Sequence, residues 1–183
     1  MKKFFLPLVV MALFVMQGNS QNAFNKGDKV VNLSVGFGSS LYSGSGYSSH
    51  TPVIAGSYEL GIKDELFDAK SSLGVGAYVA YTGSKYTYGP GYIKYSNIII
   101  GARGALHYQF IEKLDTYAGV MLGFNIVSVK NFGNGMNGGS ASASGFKFDA
   151  FVGGRYYFSD RFALLLELGS GIAYGNIGIA IKF

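Results

Sequence analysis

Apolar and polar residues alternate along most of this chain with a period of two, the pattern of a strand with one wet and one greasy face. The first such segment runs from about Lys29 to Ser39. Val31, Leu33, Val35 and Phe37 lie on one face, and Asn32, Ser34, Gly36 and Gly38 on the other. In the second, about Pro52 to Ile62, Ile54, Tyr58, Leu60 and Ile62 oppose Ala55, Ser57 and Glu59. The third, about Ser72 to Thr82, sets Leu73, Val75, Val79 and Tyr81 against Gly74, Gly76, Tyr78 and Ala80. The fourth, about Tyr95 to Phe110, sets Ile98, Ile100, Ala102, Leu106, Tyr108 and Phe110 against Asn97, Arg103, His107 and Gln109.

The fifth, about Thr116 to Ser128, opposes Ala118, Val120, Leu122, Phe124 and Ile126 to Tyr117, Gly119, Gly123 and Asn125. The sixth, about Gly145 to Phe158, opposes Phe146, Phe148, Ala150, Val152, Tyr156 and Phe158 to Lys147, Asp149, Gly153 and Arg155. The seventh, about Phe162 to Ser170, carries Phe162, Leu164, Leu166 and Leu168 against Ala163, Glu167 and Gly169. In the eighth, Ile177, Ile179, Ile181 and Phe183 alternate with Gly178, Ala180 and Lys182. The pattern predicts eight strands, each near the length of about 9–11 residues that crosses a bilayer at a steep tilt.

Alternation alone also fits a soluble sandwich, and three features separate the two. The connections alternate in length. "KDELFDAKS", "IEKLD" and "SDR" are charged and mostly short, whereas "SLYSGSGYSSHT", "GSKYTYGPGYIKY" and "VKNFGNGMNGGSASAS" are long and rich in Gly, Ser, Asn and Tyr. Outer-membrane barrels have short periplasmic turns and long external loops. The connection around Ser170 to Gly175 is a short exception on the external side.

Aromatics on the apolar face cluster at strand ends. Tyr108, Phe110, Tyr156, Phe158, Phe162 and Phe183 mark one end; Phe37, Tyr81, Phe124, Phe146 and Phe148 mark the other. Two aromatic girdles around an aliphatic band fit two membrane interfaces. The opposite face reads as small and polar, and it holds Glu59, Arg103, Lys147, Asp149, Arg155, Glu167 and Lys182. A lipocalin-like soluble barrel would invert that arrangement.

The N-terminus reads as an export signal covering residues 1–20. Lys2 and Lys3 precede an apolar run from Phe4 to Met16, interrupted by Pro7, and Gly18 and Ser20 stand at the small positions of a cleavage site before Gln21. The run is shorter than the roughly 20 residues of a transmembrane helix. Residues 21–183 then form one barrel domain. The chain has no Cys, which removes disulfide and thiolate chemistry. Its net charge of +5 is scattered, which argues against nucleic acid as a partner.

The signal segment "MKKFFLPLVVMALFVMQGNSQ", the eight alternating segments and the ending "IGIAIKF" together resemble the small eight-stranded outer-membrane β-barrel family of Gram-negative bacteria. That family includes the OmpX-like proteins and the OmpA transmembrane domain. The resemblance is one of pattern across nearly all of residues 21–183. It implies an all-β, antiparallel up-and-down transmembrane barrel, monomeric, in contact with outer-membrane lipid. It also implies that Ile177, Ile179, Ile181 and Phe183 act as the signal read by the barrel assembly machinery. With nothing after Phe183, the single-domain version is expected. The resemblance implies no one activity, because the fold hosts binders, pores, adhesins and a few enzymes.

Catalytic and cofactor signals are weak. His50 sits beside Ser48 and Ser49 in an external connection with no carboxylate to orient it. His107 is expected to point into the lumen and hydrogen-bond there. Gly133, Gly135 and Gly138 match dinucleotide-fingerprint spacing but lack a surrounding βαβ unit. Asn32 begins a glycosylation sequon inside a strand. No metal-ligand spacing is visible. The expectation is therefore a non-enzyme without cofactor or metal.

Three functional classes follow. The leading one is an integral envelope barrel with a lumen closed by a charge lattice of Glu59, Arg103, Arg155 and Glu167. Strand pairing through the Ser159–Arg161 turn sets Glu167 near Gly153 and diagonal to Arg155, and Glu59 would meet Arg103 across the interior. Tyr42, Tyr47, Tyr86, Tyr88 and Tyr92, among Gly and Ser, offer an adaptable external surface for an extracellular ligand. The same composition also serves loops that are only soluble. The alternative is a small pore, although eight strands enclose a space that side chains fill. The third class is a soluble periplasmic barrel holding a lipophile.

Overall fold

The computed structural model describes residues 23–38, 47–88, 91–132 and 140–183. The expected export signal, Tyr42, and the glycines at 133, 135 and 138 lie outside them. Alternating β-branched and aromatic residues form long strands: β1 Lys29–Phe37, β2 Tyr47–His50, β3 Val53–Asp64, β4 Ser71–Tyr88, β5 Gly91–Ile111, β6 Leu114–Phe132, β7 Ser140–Tyr157, β8 Phe162–Gly169 and β9 Gly175–Lys182. Each strand pairs antiparallel with its neighbour. β1 also pairs with β9, from Val30 opposite Lys182 to Phe37 opposite Gly175. The sheet thus closes on itself as an eight-membered ring, β1-β3-β4-β5-β6-β7-β8-β9, and around that ring every strand is paired on both sides.

β2 prolongs β3 beyond the break at Thr51-Pro52 and pairs with the far half of β4, His50 opposite Ser84. Proline has no N–H to donate to a ladder. The break is stitched instead by Thr51 N–H donating to the Gly83 carbonyl at 2.9 Å and Thr82 Oγ1 donating to the Thr51 carbonyl at 2.9 Å.

Burial follows the period of two. Leu33, Val35, Ile54, Val79, Ile98, Ile100, Val120, Leu122, Leu166, Ile177 and Ile179 are exposed on the outside. Leu122 and Ile100, at mid-strand, are 49% and 54% exposed. Their in-between neighbours, including Asn97, Arg103, Asn125 and Arg155, are buried inside. A continuous apolar exterior of this size has one compatible solvent, a bilayer. From Ile98 to Phe110, β5 climbs about 40 Å at ~3.4 Å per residue. With a tilt of about 35–45° that is roughly the ~30 Å of a hydrocarbon core. The molecule is an all-β, up-and-down transmembrane barrel.

Two expectations are corrected. The segments "GSKYTYGPGYIKY" and "VKNFGNGMNGGSASAS" are not loops throughout. β4 runs on to Tyr88 and β5 starts at Gly91, with Tyr86 opposite Ile93 and Thr87 opposite Tyr92. β6 reaches Phe132, and β7 begins at Ser140 opposite Lys130. Tyr, Thr and Ile have high strand propensity, and once a ladder exists, extending it satisfies backbone groups at little further cost. Tyr86 and Tyr92 therefore stand on strands, as do the backbones of Tyr47 and Tyr88.

The interior is also not simply small and polar. Val53, Tyr78, Ile99, Tyr117, Met121, Phe151 and Leu165 form an apolar cluster inside the ring. Each occupies an inward position of its strand, so the alternation holds while the chemistry differs.

The short connections, the start of β1 and Phe183 share one end of the barrel, the turn end. Glu112 and Lys113 link β5 to β6, with Lys113 in the left-handed region at φ 63°. Asp68, between β3 and β4, accepts from the Lys70 N–H and the Tyr108 hydroxyl, both at 2.9 Å, and these bonds hold its carboxyl below the usual range. Phe183, 71% exposed, donates its N–H to the Lys29 carbonyl at 2.9 Å. The other end is the loop end.

Candidate functional site in the barrel interior

Inward positions of β3, β5, β6 and β7 converge near the turn end on a closed ring of four side chains. Glu59 is on β3, His107 on β5, Asp115 on β6 and Arg155 on β7. His107 Nε2 lies 2.7 Å from Glu59 Oε1, and its Nδ1 lies 2.8 Å from Asp115 Oδ1. Arg155 completes the ring, donating from one terminal nitrogen to Asp115 Oδ2 at 3.1 Å and from the other to Glu59 Oε2. All four are buried, and Arg155 is 0% exposed.

Each carboxylate thus bridges an imidazole and a guanidinium. An ionised carboxylate only accepts hydrogen bonds. With both carboxylates ionised, His107 satisfies its two contacts as the imidazolium, and the ring carries two charges of each sign. Buried charges persist where partners and hydrogen bonds offset desolvation, and this ring supplies both. Gly74 makes the ring possible: a Cβ there would stand 2.5 Å from Glu59 Oε1 and 3.0 Å from His107 Nε2.

A second pair lies on the side of β8. Arg103 donates to Glu167 Oε2 at 2.6 Å, and the Tyr117 hydroxyl donates to the same oxygen at 2.9 Å. The Arg103 guanidinium covers the Phe151 ring at 3.8 Å, a cation–π contact inside the barrel. The sequence reading set Glu167 against Arg155 and Glu59 against Arg103; the structure exchanges the partners. The register was right, with Gly153 opposite Glu167. The space over Gly153 is filled by Tyr117, whose ring a Cβ at Gly153 would meet at 2.6 Å. That ring separates Glu167 from Arg155 and hands the carboxylate to Arg103. Asp115, Tyr117 and the bridging role of His107 were not foreseen. Their signal was their inward parity at the same strand end.

Described residues fold inward at both ends of the ring. At the turn end Ala23 and Phe24 are buried, and Phe24 stacks on His107 with centroids 4.1 Å apart. The segment is tied by Ala23 N–H to Gln109 Oε1 at 2.5 Å, Ser72 Oγ to the Phe24 carbonyl at 3.1 Å, and Lys182 Nζ to the Ala23 carbonyl at 3.2 Å. At the loop end the turn between β8 and β9 folds Ile172 and Ala173 into the apolar cluster. Asp149 fixes that turn, accepting from Ser170 N–H at 2.8 Å and Gly171 N–H at 2.7 Å.

Both nitrogens of His107 are taken by carboxylates, so the ring has no site from which to act as a base on a substrate. Among the described residues, no group of three or more His, Cys, Asp or Glu is placed to hold a metal ion. Ile177, Ile179 and Ile181 share the outward face of β9, the first two exposed and Ile181 half-buried, and Tyr86 and Tyr92 lie beyond the apolar band.

No protein-family model and no curated protein matches the chain. Among solved structures it is similar to the attachment invasion locus protein Ail of Yersinia pestis in complex with the heparin analogue sucrose octasulfate. The identity is 13%, covering 86% of this chain and 95% of that one, with a TM-score of 0.48. It is similar to Neisserial surface protein A at 16% identity, covering 85% and 95%, with a TM-score of 0.48. It is also similar to the outer membrane protein OprG from Pseudomonas aeruginosa at 11% identity, covering 89% and 99%, with a TM-score of 0.44. These neighbours are small eight-stranded outer-membrane β-barrels.

Proposed function

We propose that this protein is a monomeric, non-catalytic barrel of a Gram-negative outer membrane with a closed lumen. Its role is structural or surface-binding and is carried by its exterior and its loop end. On this reading the turn end is periplasmic and the loop end external. The observation that carries the proposal is the filling of the cross-section. The ring of Glu59, His107, Asp115 and Arg155 is followed by Tyr117, Phe151, Ile99 and Met121, with Phe24 below and Ile172 above, all buried. An eight-stranded barrel is narrow enough for side chains to occupy its interior fully.

Conductance tests it. Purified barrel in planar bilayers is expected to give no steady openings above the bare-membrane baseline. Steady nanosiemens-scale openings would overturn the closed lumen and favour the pore.

A further inference from the structure

We propose that a notch in the outer wall, running from β7 across β8 and β9 to β1, is a binding groove for one acyl chain of a membrane lipid. The proposal rests on the reading of the molecule as a membrane barrel. The walls of the notch are Phe37, Val152, Leu166 and Leu168, and its volume is about 400 Å³. All four side chains point outward and are exposed. The volume lies within the range of about 300–1,000 Å³ in which small-molecule sites fall.

Two glycines make the notch. The register sets Val152, Leu168, Gly175 and Phe37 in one outward row across four strands. Gly154 and Leu166 begin the next row toward the turn end. At Gly175 and Gly154 the wall presents no side chain. The Phe37 ring folds back over the first: a Cβ at Gly175 would meet it at 2.6 Å. A Cβ at Gly154 would instead find its nearest neighbours at 3.7 Å, an ordinary contact distance. The groove is therefore walled by an aromatic ring at one end and has room for a side chain at the other.

The lining selects the occupant. Glu167 and Asn176 also border the notch, but their side chains turn into the lumen. Glu167 is held there by Arg103 and Tyr117, and Asn176 Oδ1 lies 2.5 Å from where a Cβ at inward-facing Gly36 would stand. The outward side chains are all apolar, and a lodged water needs about 2–4 polar partners. A hydrocarbon chain instead gains the dispersion contacts that a recess otherwise forfeits. Depth and length agree with this. On β7 the outward apolar face continues past the notch through Ala150 and Phe148 to Phe146, which puts the notch inside the hydrocarbon layer. From β7 to β1 it crosses three strand spacings of about 4.8 Å, roughly 14 Å in all. One leaflet of the ~30 Å core is about as deep, so a single acyl chain covers the groove.

The chain has no Trp, so a single Trp can report the local lipid. Ile177→Trp stands beside the notch on β9, opposite Leu166. Ile100→Trp stands on β5, across the ring. In vesicles of chain-brominated phosphatidylcholine both are expected to be quenched. Both are then titrated with the same lipid in alkyl-maltoside micelles. There Ile177→Trp is expected to reach half-quenching at a lipid fraction lower by about 4-fold or more, the scale of one further buried methylene. Gly154→Leu fills the roomy end and Leu168→Ala removes a wall. Each should bring the ratio back to near one while the barrel keeps its heat-modifiable mobility on gels.

Equal half-quenching points for the two Trp variants would overturn the groove and leave the barrel in its membrane. So would a preference that survives both Gly154→Leu and Leu168→Ala. Absence of quenching at both sites in vesicles would overturn the membrane reading itself. Loss of quenching at Ile177→Trp together with a doubled particle mass would assign the notch to a second copy of the chain, against the proposal.

Discussion

The two ends of this barrel handle charge in opposite ways. At the turn end, Lys and Arg are interleaved with Asp and Glu, and the lumen above holds a ring in which Glu59, His107, Asp115 and Arg155 pair with one another. At the loop end, Lys85, Lys94 and Lys130 stand in register on the outside of the wall. The first arrangement is closed and gains stability from its own partners. The second lies exposed on the outside of the wall. A charge buried away from water must find its partner within the chain; a charge on the rim need not.

The largest expected effect breaks the closed ring. Arg155→Met leaves Glu59 and Asp115 buried with one cation between them. It is expected to lower stability by about 3–5 kcal/mol, the usual cost of removing one member of a buried ion pair. Urea titration of the folded barrel, followed by its heat-modifiable mobility on gels, reads this. A loss under 1 kcal/mol would mean that water already solvates the ring.

Next comes the exterior between the two ends. Leu122→Arg puts a charge into the middle of the apolar band and is expected to cost about 2–4 kcal/mol, with little penalty if made near either rim. Refolding midpoints in lipid vesicles measure it. A neutral result would show that the outer face does not meet hydrocarbon.

The smallest effect sharpens the contrast. Lys94→Gln removes the middle cation of an exposed row, and in phosphatidylcholine vesicles it is expected to leave stability unchanged or raise it by less than ~1 kcal/mol. Unfolding curves measured beside those of Arg155→Met decide it. A loss comparable to that of Arg155→Met would mean that Lys94, too, is held by a strong partner inside the chain.

Much of the fold was legible because a strand's two faces follow from parity alone. Leu122, Ile100 and Ile177 read as outward and are; Glu59, Arg103, Arg155 and Glu167 read as inward and are. The apolar inward layer was equally available to parity. Ile99, Met121, Phe151 and Leu165 stand between outward residues, but the charged neighbours that share their face drew the reading toward a polar lumen. The strand ends were less legible. Gly, Ser and Tyr in 83–95 and 129–144 suit a loop and a strand alike, and only the ladder with a neighbour decides between them.

Sequence by itself determined the period, the number of membrane-crossing segments and which side chains face lipid. These depend on local alternation and composition. The tertiary structure alone decided which charges meet. Glu59 and Arg155 come from β3 and β7, which do not pair, and only ring closure brings them across the interior. Whether Glu167 reached Arg155 or Arg103 turned on the Tyr117 ring lying over Gly153, a matter of volume in a narrow lumen. Register sets neighbours along the wall; packing across the cavity sets partners, and no one-dimensional pattern encodes that distance.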